Sequence, residues 1–249
     1  MKTIKITEDG INTVEEKTRG QSSNSDWFQY RCRRLTASKF GEISNRRVTT
    51  LPDRLVRDVF QYNCRPNIPY QCQVGLEMEP VITGKYIQHQ ENNGHEDITV
   101  KDKGLVIDKD NPVLAASVDG EVSDPTNKYH PTGNLEAKYN LFPSKLKEQV
   151  DTKQTSLLKV LAKHTKNFCL EITESGFRLK QKHSYYKQVQ GSMAITRKPW
   201  CDFVVYTYFM NPIKKKLLDF YLYAMVPELL TGRAKRGIPL YQTFFAIND

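Results

Sequence analysis

Cysteine is scarce and scattered in this chain. The five present, Cys32, Cys64, Cys72, Cys169 and Cys201, include no Cys-X-X-Cys pair and are odd in number. That excludes a disulfide framework and a cysteine-based zinc site, and it fits a reducing compartment. A run of about 18 apolar residues is also missing, so no segment is expected to span a membrane. The opening Met1-Lys2-Thr3-Ile4-Lys5 leads into polar residues, not into the apolar stretch of a signal peptide, so an intracellular location is expected. No internal repeat or low-complexity tract occurs. Acidic residues are outnumbered, 28 Asp+Glu against 37 Lys+Arg, and the net charge of +9 favours an acidic partner, of which nucleic acid is the commonest.

What is present suffices for a substantial core, and 249 residues point to one domain with tails. Residues 1–25 are polar and read as an N-terminal arm, with the folded part starting at Asp26 as a helix N-cap. A helix over Asp26–Leu35 places Trp27 and Arg31 one turn apart. Thr36 then caps a second helix whose first turn holds Ser38. Helix starts expose free N–H groups, so Ser38 beside Arg31 suits a phosphate. The competing reading makes Trp27 and Phe40 core anchors and leaves Arg31 solvated.

Farther on, Pro52–Phe60 has helical spacing, and Pro80 opens a helix with Val81, Ile82, Tyr86 and Ile87 on one face. Glu77 and Glu79 fall at its start, where the helix dipole alone would account for them. Residues from about 97 to 122 alternate as an antiparallel meander. Thr155–Lys163 reads as a helix flanked by lysines that either line a DNA channel or form a wet face. Two short strands follow within 168–179, then a helix over Ser184–Ile195. Its Gln188 and Gln190 cannot both point the same way. Trp200–Tyr208 reads as a strand, and a last helix is expected over Leu217–Leu230. Residues 233–249 read as a C-terminal extension with an apolar patch, Leu240–Ile247.

The chemistry concentrates between Ala115 and Tyr139. Ala115-Ala116-Ser117-Val118-Asp119-Gly120 is an apolar run ending in Asp-Gly, which sets the Asp119 carboxylate at a strand end. In Asn134-Leu135-Glu136-Ala137-Lys138-Tyr139 the alternation of a strand puts Glu136 and Lys138 on one face. Two carboxylates and an amine can then converge. Hard cations such as Mg²⁺ and Mn²⁺ take oxygen ligands, and a site with few carboxylates leaves positions for water and phosphate oxygens. A lysine alongside can orient the attacking water and stabilise charge on a phosphate.

Five motifs stand in a fixed order. Trp27-X3-Arg31-X6-Ser38, Gly75-X-Glu77-X-Glu79-Pro80, Ala116-Ser117-Val118-Asp119-Gly120, Leu135-Glu136-Ala137-Lys138 and Tyr185-X2-Gln188-Val189-Gln190 together resemble the YqaJ / lambda-exonuclease-type viral recombinase nucleases of the PD-(D/E)XK superfamily. The resemblance runs from Trp27 to Tyr208. It implies an α/β fold with a restriction-endonuclease-like core, a central mixed β-sheet flanked by α-helices, over residues 26–232.

By the same resemblance Asp119, Glu136 and the Ala137 carbonyl are metal ligands, Glu79 is an acidic group near a second metal, and Lys138 is the catalytic lysine. Two Mg²⁺ ions, or Mn²⁺, are implied. Arg31, Ser38 and Ser117, beside Trp27, would hold a 5′-terminal phosphate, and Gln188 or Gln190 would contact the scissile region. The implied activity is digestion of one strand of linear double-stranded DNA from 5′ to 3′. Implied partners are a single-strand annealing protein and further copies of the chain in a ring, in the cytoplasm or nucleus of a host. Two departures stand out: the family's Ser-Pro-Asp-Gly is Ser117-Val118-Asp119-Gly120 here, and its Cys-Pro after Glu-X-Lys is Tyr139-Asn140. Two rival readings are a structure-selective endonuclease of the same fold and a non-catalytic DNA-binding protein.

Overall fold

The two longest strands among the described residues lie side by side and parallel. In the computed structural model, which describes residues 6–62, 70–143, 146, 150, 156–208 and 225, the helices are α1 (Glu8–Lys17), α2 (Ser25–Arg31), α3 (Ala37–Ser44), α4 (Asp53–Val59), α5 (Tyr70–Asn92), α6 (Leu157–His164) and α7 (Ser184–Thr196). The strands are β1 (Leu35–Thr36), β2 (Thr99–Lys101), β3 (Leu105–Ile107), β4 (Leu114–Ser117), β5 (Gly120–Ser123), β6 (Thr132–Leu141), β7 (Leu170–Thr173), β8 (Gly176–Leu179) and β9 (Cys201–Tyr208). They form a mixed four-stranded sheet, β2-β5-β6-β9, a three-stranded sheet, β1-β4-β3, and the hairpin β7-β8. Helices flank the sheets, as the expected α/β class requires.

The ladder β6–β9 runs from Asn134↔Cys201 to Leu141↔Tyr208. On one face of β6, Leu135 packs with Tyr86 of α5, Ile98 and Val122. On the other, Phe203 and Val205 of β9 pack against a cluster that includes Phe142, Val160, Leu161 and Phe168. The central strand is therefore covered on both sides, and polar groups on it are desolvated.

The expected meander is split between two sheets. Strands β3 and β4 pair antiparallel, but β2 leaves them and pairs with β5, Val100 opposite Val122. Glycines permit both crossings: a Cβ on Gly120 would lie 2.3 Å from Val100 Cγ1, and one on Gly104 would lie 2.0 Å from the Glu15 carbonyl oxygen. The chain passes from the small sheet to the large one at Val118-Asp119.

The N-terminal segment read as a polar arm contains α1, which packs Ile11 and Val14 against Leu105, Ile107 and Ala115. Only two apolar residues mark its buried face, too few for a helical period to be read. Polar bonds tie it to the sheet instead. Glu15 Oε1 accepts from the Gly104 N–H at 2.9 Å, Thr18 Oγ1 from the Leu105 N–H at 2.7 Å, and Gln21 Nε2 donates to the carbonyls of Lys103 and Val118 at 3.0 and 2.8 Å.

Two further expectations are corrected. Asn24, not Asp26, caps α2, its side chain accepting from the Asp26 N–H. Pro80 does not open a helix but lies inside α5, whose 23 residues span about 35 Å. Glu77 and Glu79 thus belong to a helix interior, where the dipole argument does not apply. The helix expected at 217–230 and the extension at 233–249 lie outside the described residues, Met225 alone excepted.

Burial alone would raise the Glu15 carboxyl, yet its bonds from Arg19 and Gly104, with Lys103 nearby, hold it below its ordinary value of 4.5. A carboxylate depressed in this way contributes stability above its unfolded pKa and loses it as the pH falls through the folded one. Glu15→Gln is expected to cost about 1–3 kcal/mol at neutral pH, with the gap to wild type closing below about pH 4.5, by denaturant titration across pH. Gly104→Ala, which forces a methyl into the α1 backbone, should destabilise at every pH.

Candidate active site

Strand alternation sets Glu136 and Lys138 of β6 on the same face, and the two are joined: Lys138 Nζ donates to Glu136 Oε1 at 2.5 Å. Gln188, on the inward side of α7, donates through Nε2 to the same oxygen. Glu136 is 1% exposed, and its second oxygen, Oε2, is buried without a hydrogen-bond partner among the described residues. Asp119 reaches the group from the sheet crossing. Its Oδ2 accepts from the Ala137 N–H at 2.7 Å and its own N–H donates to the Leu135 carbonyl at 3.1 Å. From α5, Glu79 faces Asp119 and Lys138.

Lys138 is thus bonded to one carboxylate, Glu136, and feels the charge of two more, Asp119 and Glu79. Burial, then the Asp119 charge, pushes Glu79 up to about 7. Burial pushes Glu136 up to about 7, with Lys138 opposing and Asp119 and Glu79 adding to the rise. Asp119 is raised for the same first reason, against the pull of Lys138 and the Ala137 N–H. Burial would lower Lys138, but Glu136 and Asp119 outweigh it, so the amine stays protonated. Tyr185, three residues before Gln188, lies under that ammonium, 5.3 Å from ring centroid to Nζ.

A second cluster adjoins the first. The Arg31 guanidinium stacks on Trp27, 4.0 Å from the ring centroid. Trp27 Nε1 donates to Ser117 Oγ at 2.9 Å, and Arg31 donates weakly to Ser117 Oγ and to Thr36 Oγ1, both at 3.4 Å. Thr36 Oγ1 and Ser38 Oγ share a bond of 3.1 Å. Desolvation pulls Arg31 down to about 10, and among the described residues no carboxylate pairs with it. A desolvated cation amid hydroxyls and an indole N–H is a receptor for an oxyanion. A cleft of about 640 Å³, lined by Trp27, Gly75, Glu79, Lys138, Tyr139 and Tyr185 among others, runs past both clusters.

Each residue singled out from sequence can now be placed. Asp119, Glu136, Ala137, Lys138, Glu79 and Gln188 come together, and Trp27, Arg31, Ser38 and Ser117 form the neighbouring group. Gln190 does not join them. It is exposed and lines a separate groove with Leu35, Phe40, Ile43 and Lys187, because two helix steps rotate it about 200° from Gln188. Sequence reading missed Thr36 and Tyr185. Thr36 occupies the N-cap position of α3 but makes no capping bond, its hydroxyl being engaged by Arg31 and Ser38. Tyr185 carried a usable signal, its i,i+3 spacing to Gln188.

The fold is a mixed α/β sheet flanked by helices, and the family is given by comparison with known proteins. Residues 26–199 match the profile of the YqaJ-like viral recombinase domain, and the chain belongs to that family. No curated protein matches it significantly. Among solved structures, a SOX–DNA complex has a TM-score of 0.51 at 14% identity, over 83% of this chain and 60% of that one. An alkaline exonuclease from Laribacter hongkongensis aligns with a TM-score of 0.49 at 21% identity, over 86% of this chain and 97% of that one. The Shutoff and Exonuclease Protein of Kaposi's sarcoma-associated herpesvirus gives 0.41 at 17% identity, over 79% and 59%. Among the described residues no helix is long and apolar enough to cross a membrane.

Neutralising one of the crowded carboxylates should relieve their repulsion. Asp119→Asn keeps an oxygen for the Ala137 N–H, so in metal-free buffer it is expected to raise the melting temperature, about 2–4 °C for each 1 kcal/mol relieved. Calorimetry checks it.

Proposed function

We propose that this protein is a metal-dependent 5′→3′ deoxyribonuclease that digests one strand of linear double-stranded DNA from a 5′-phosphorylated end, in recombination or in processing of viral or mobile DNA. The observation that carries the reading is the closeness of two unlike sites. Ser117 bonds the Arg31–Trp27 anion receptor, and Asp119 of the carboxylate–lysine group lies two residues on, at most about 7 Å along the backbone. A terminal phosphate held at the first brings the next phosphodiester of the same strand to the second.

The residues fit a hard divalent cation. All the side-chain donors are carboxylate oxygens, the orphaned Glu136 Oε2 lacks a partner, and three negative groups are balanced by one amine. Among the described residues no three His, Cys, Asp or Glu side chains stand close enough together to hold an ion as they are, so binding would draw Glu79, Asp119 and Glu136 together. Glu79, Asp119, Glu136 and the Ala137 carbonyl would hold Mg²⁺ or Mn²⁺, two ions in all. When bound, such ions lower the pKa of water and neutralise charge on the attacking and leaving oxygens of an in-line displacement.

The remaining steps belong to the chain itself. Arg31, with Trp27, Ser117, Thr36 and Ser38 around it, binds the 5′-phosphate and so sets polarity. Lys138, kept protonated by Glu136 and Asp119, donates toward the phosphate oxygens as charge accumulates there. Gln188 holds Glu136 Oε1, leaving Oε2 turned to the other groups. Contacts made only to phosphates are indifferent to sequence and weaken with salt. The net charge of +9 and the likeness to a fold solved with DNA support that substrate.

Time-resolved digestion of linear duplex with and without 5′-phosphate is the test. Wild type should remove only the 5′ strand, faster from phosphorylated ends, and stop in chelator. Lys138→Ala should slow cleavage about 10²–10³-fold, and Arg31→Ala should abolish the preference for phosphorylated ends while retaining slower cleavage. Cutting of a covalently closed circle would favour the endonuclease reading. Nuclease activity unchanged in Asp119→Ala would leave a non-catalytic DNA-binding protein.

A further inference from the structure

The face of β6 that carries Glu136 and Lys138 does not end at the lysine. Side chains alternate along a strand, so Asn140 falls on that face too, and Thr207, its register partner on the parallel strand β9, stands beside it. Asn140 is half-buried and lines the same cleft as Lys138 and Tyr185. Polar atoms here are withdrawn from water with nothing to bond: among the described residues neither Asn140 Nδ2 nor Thr207 Oγ1 has a hydrogen-bond partner. Glu136 Oε2, on the same face, is in the same condition. A buried donor left unpaired is costly to a fold and seldom kept without a use. The family pattern supplies none at this position. Its Glu-X-Lys is followed by Cys-Pro, where this chain has Tyr139-Asn140, and a proline side chain has nothing to donate.

We propose that Asn140 and Thr207 bind the substrate: the Asn140 amide and the Thr207 hydroxyl donate to oxygens of the phosphodiester that follows the scissile one on its 3′ side. The inference rests on the exonuclease reading. Donors that lack acceptors are complemented by a group that only accepts, and a phosphodiester anion does so through its unbridged oxygens. Lys138 serves the scissile phosphate, and Asn140 lies two residues farther along the strand, about 7 Å, so its amide meets the next phosphate and not the same one. The last torsion of an asparagine side chain is soft, which lets the amide turn into the cleft without strain. Phosphate contacts carry no sequence information, in keeping with the rest of the site. The grip outlasts the cut, because this phosphate belongs to the strand that remains.

The test replaces one unbridged oxygen of that phosphodiester by methyl, as a methylphosphonate of either stereochemistry at the second linkage of a 5′-phosphorylated duplex. In Mg²⁺ wild type should cleave at least one isomer about 10- to 100-fold less well than the native duplex in kcat/KM, the effect of one hydrogen bond to a charged group. Asn140→Leu, of nearly the same size, should lose about that much on the native duplex and then treat native and methylphosphonate ends alike. Thr207→Val should lose part of it. Asn140→Leu should also melt no lower than wild type, since it removes an unpaired buried donor. An independent readout is the Kd for the same duplexes in chelator, where wild type should discriminate and Asn140→Leu should not. Equal handling of the native duplex and both isomers by wild type, or full discrimination retained in a folded Asn140→Leu, overturns the proposal. Absence of any cleavage with discrimination in binding intact would count against the nuclease reading and leave the phosphate contact standing.

Discussion

Three carboxyl groups held near a single ammonium, one of them fully buried, form the constraint on which the rest of the molecule depends. Left to themselves such charges repel, and desolvation adds to the cost of each. Glu136 and Lys138 cannot retreat, since β6 is paired on both edges and covered on both faces. Asp119 cannot swing away while it accepts the Ala137 N–H. The rigid ladder thus keeps in place an arrangement that the side chains alone would abandon, a common mark of functional sites.

The same demand explains features far from the site. Asp119 stands where the chain leaves one sheet for the other, so its position depends on both. The small sheet is fixed by α1 and the turn after it, where Glu15, Thr18 and Gln21 bond the backbone at 103–105 and the Val118 carbonyl, next to Asp119 itself. An element that looked dispensable in sequence therefore bears on the carboxylate from behind.

What the sequence revealed follows the physics of each element. The period-2 alternation at 134–139 was visible because a strand's two faces are dictated locally, and Asp-Gly marked the strand end for the same reason. Which of Gln188 and Gln190 faces inward was not visible, because α7 buries Ser192 and Gln188 together with Val189 and Ile195, so its buried face is not apolar. Pro80 was a misleading start signal, as α5 continues through it, with Ile82 and Tyr86 beyond it buried against the sheet. The split of the meander depended on Gly104 and Gly120 meeting α1 and Val100, contacts between residues up to 89 apart in sequence. No local pattern encodes such contacts. Thr36 was hidden by its own plausibility as a cap.

The two halves of the site carry opposite unmet charge. Among the described residues Arg31 is a largely desolvated cation with no carboxylate paired to it, and Glu79, Asp119 and Glu136 are crowded carboxyl groups with too little positive charge nearby. Neither half is relieved by the other, because the Ser117 hydroxyl and the strand end stand between Arg31 and Asp119. On the function proposed above, a phosphate would satisfy the first half and a divalent cation the second, with a 5′-phosphorylated strand bridging them through adjacent phosphates. Interactions that are poor in the free protein and good only in the full complex are the kind that favour reaction over mere binding. On that reading an unphosphorylated end would leave Arg31 unsatisfied, so selection for the phosphate would follow from the desolvation of that guanidinium, and a more hydrated arginine in its place would discriminate less.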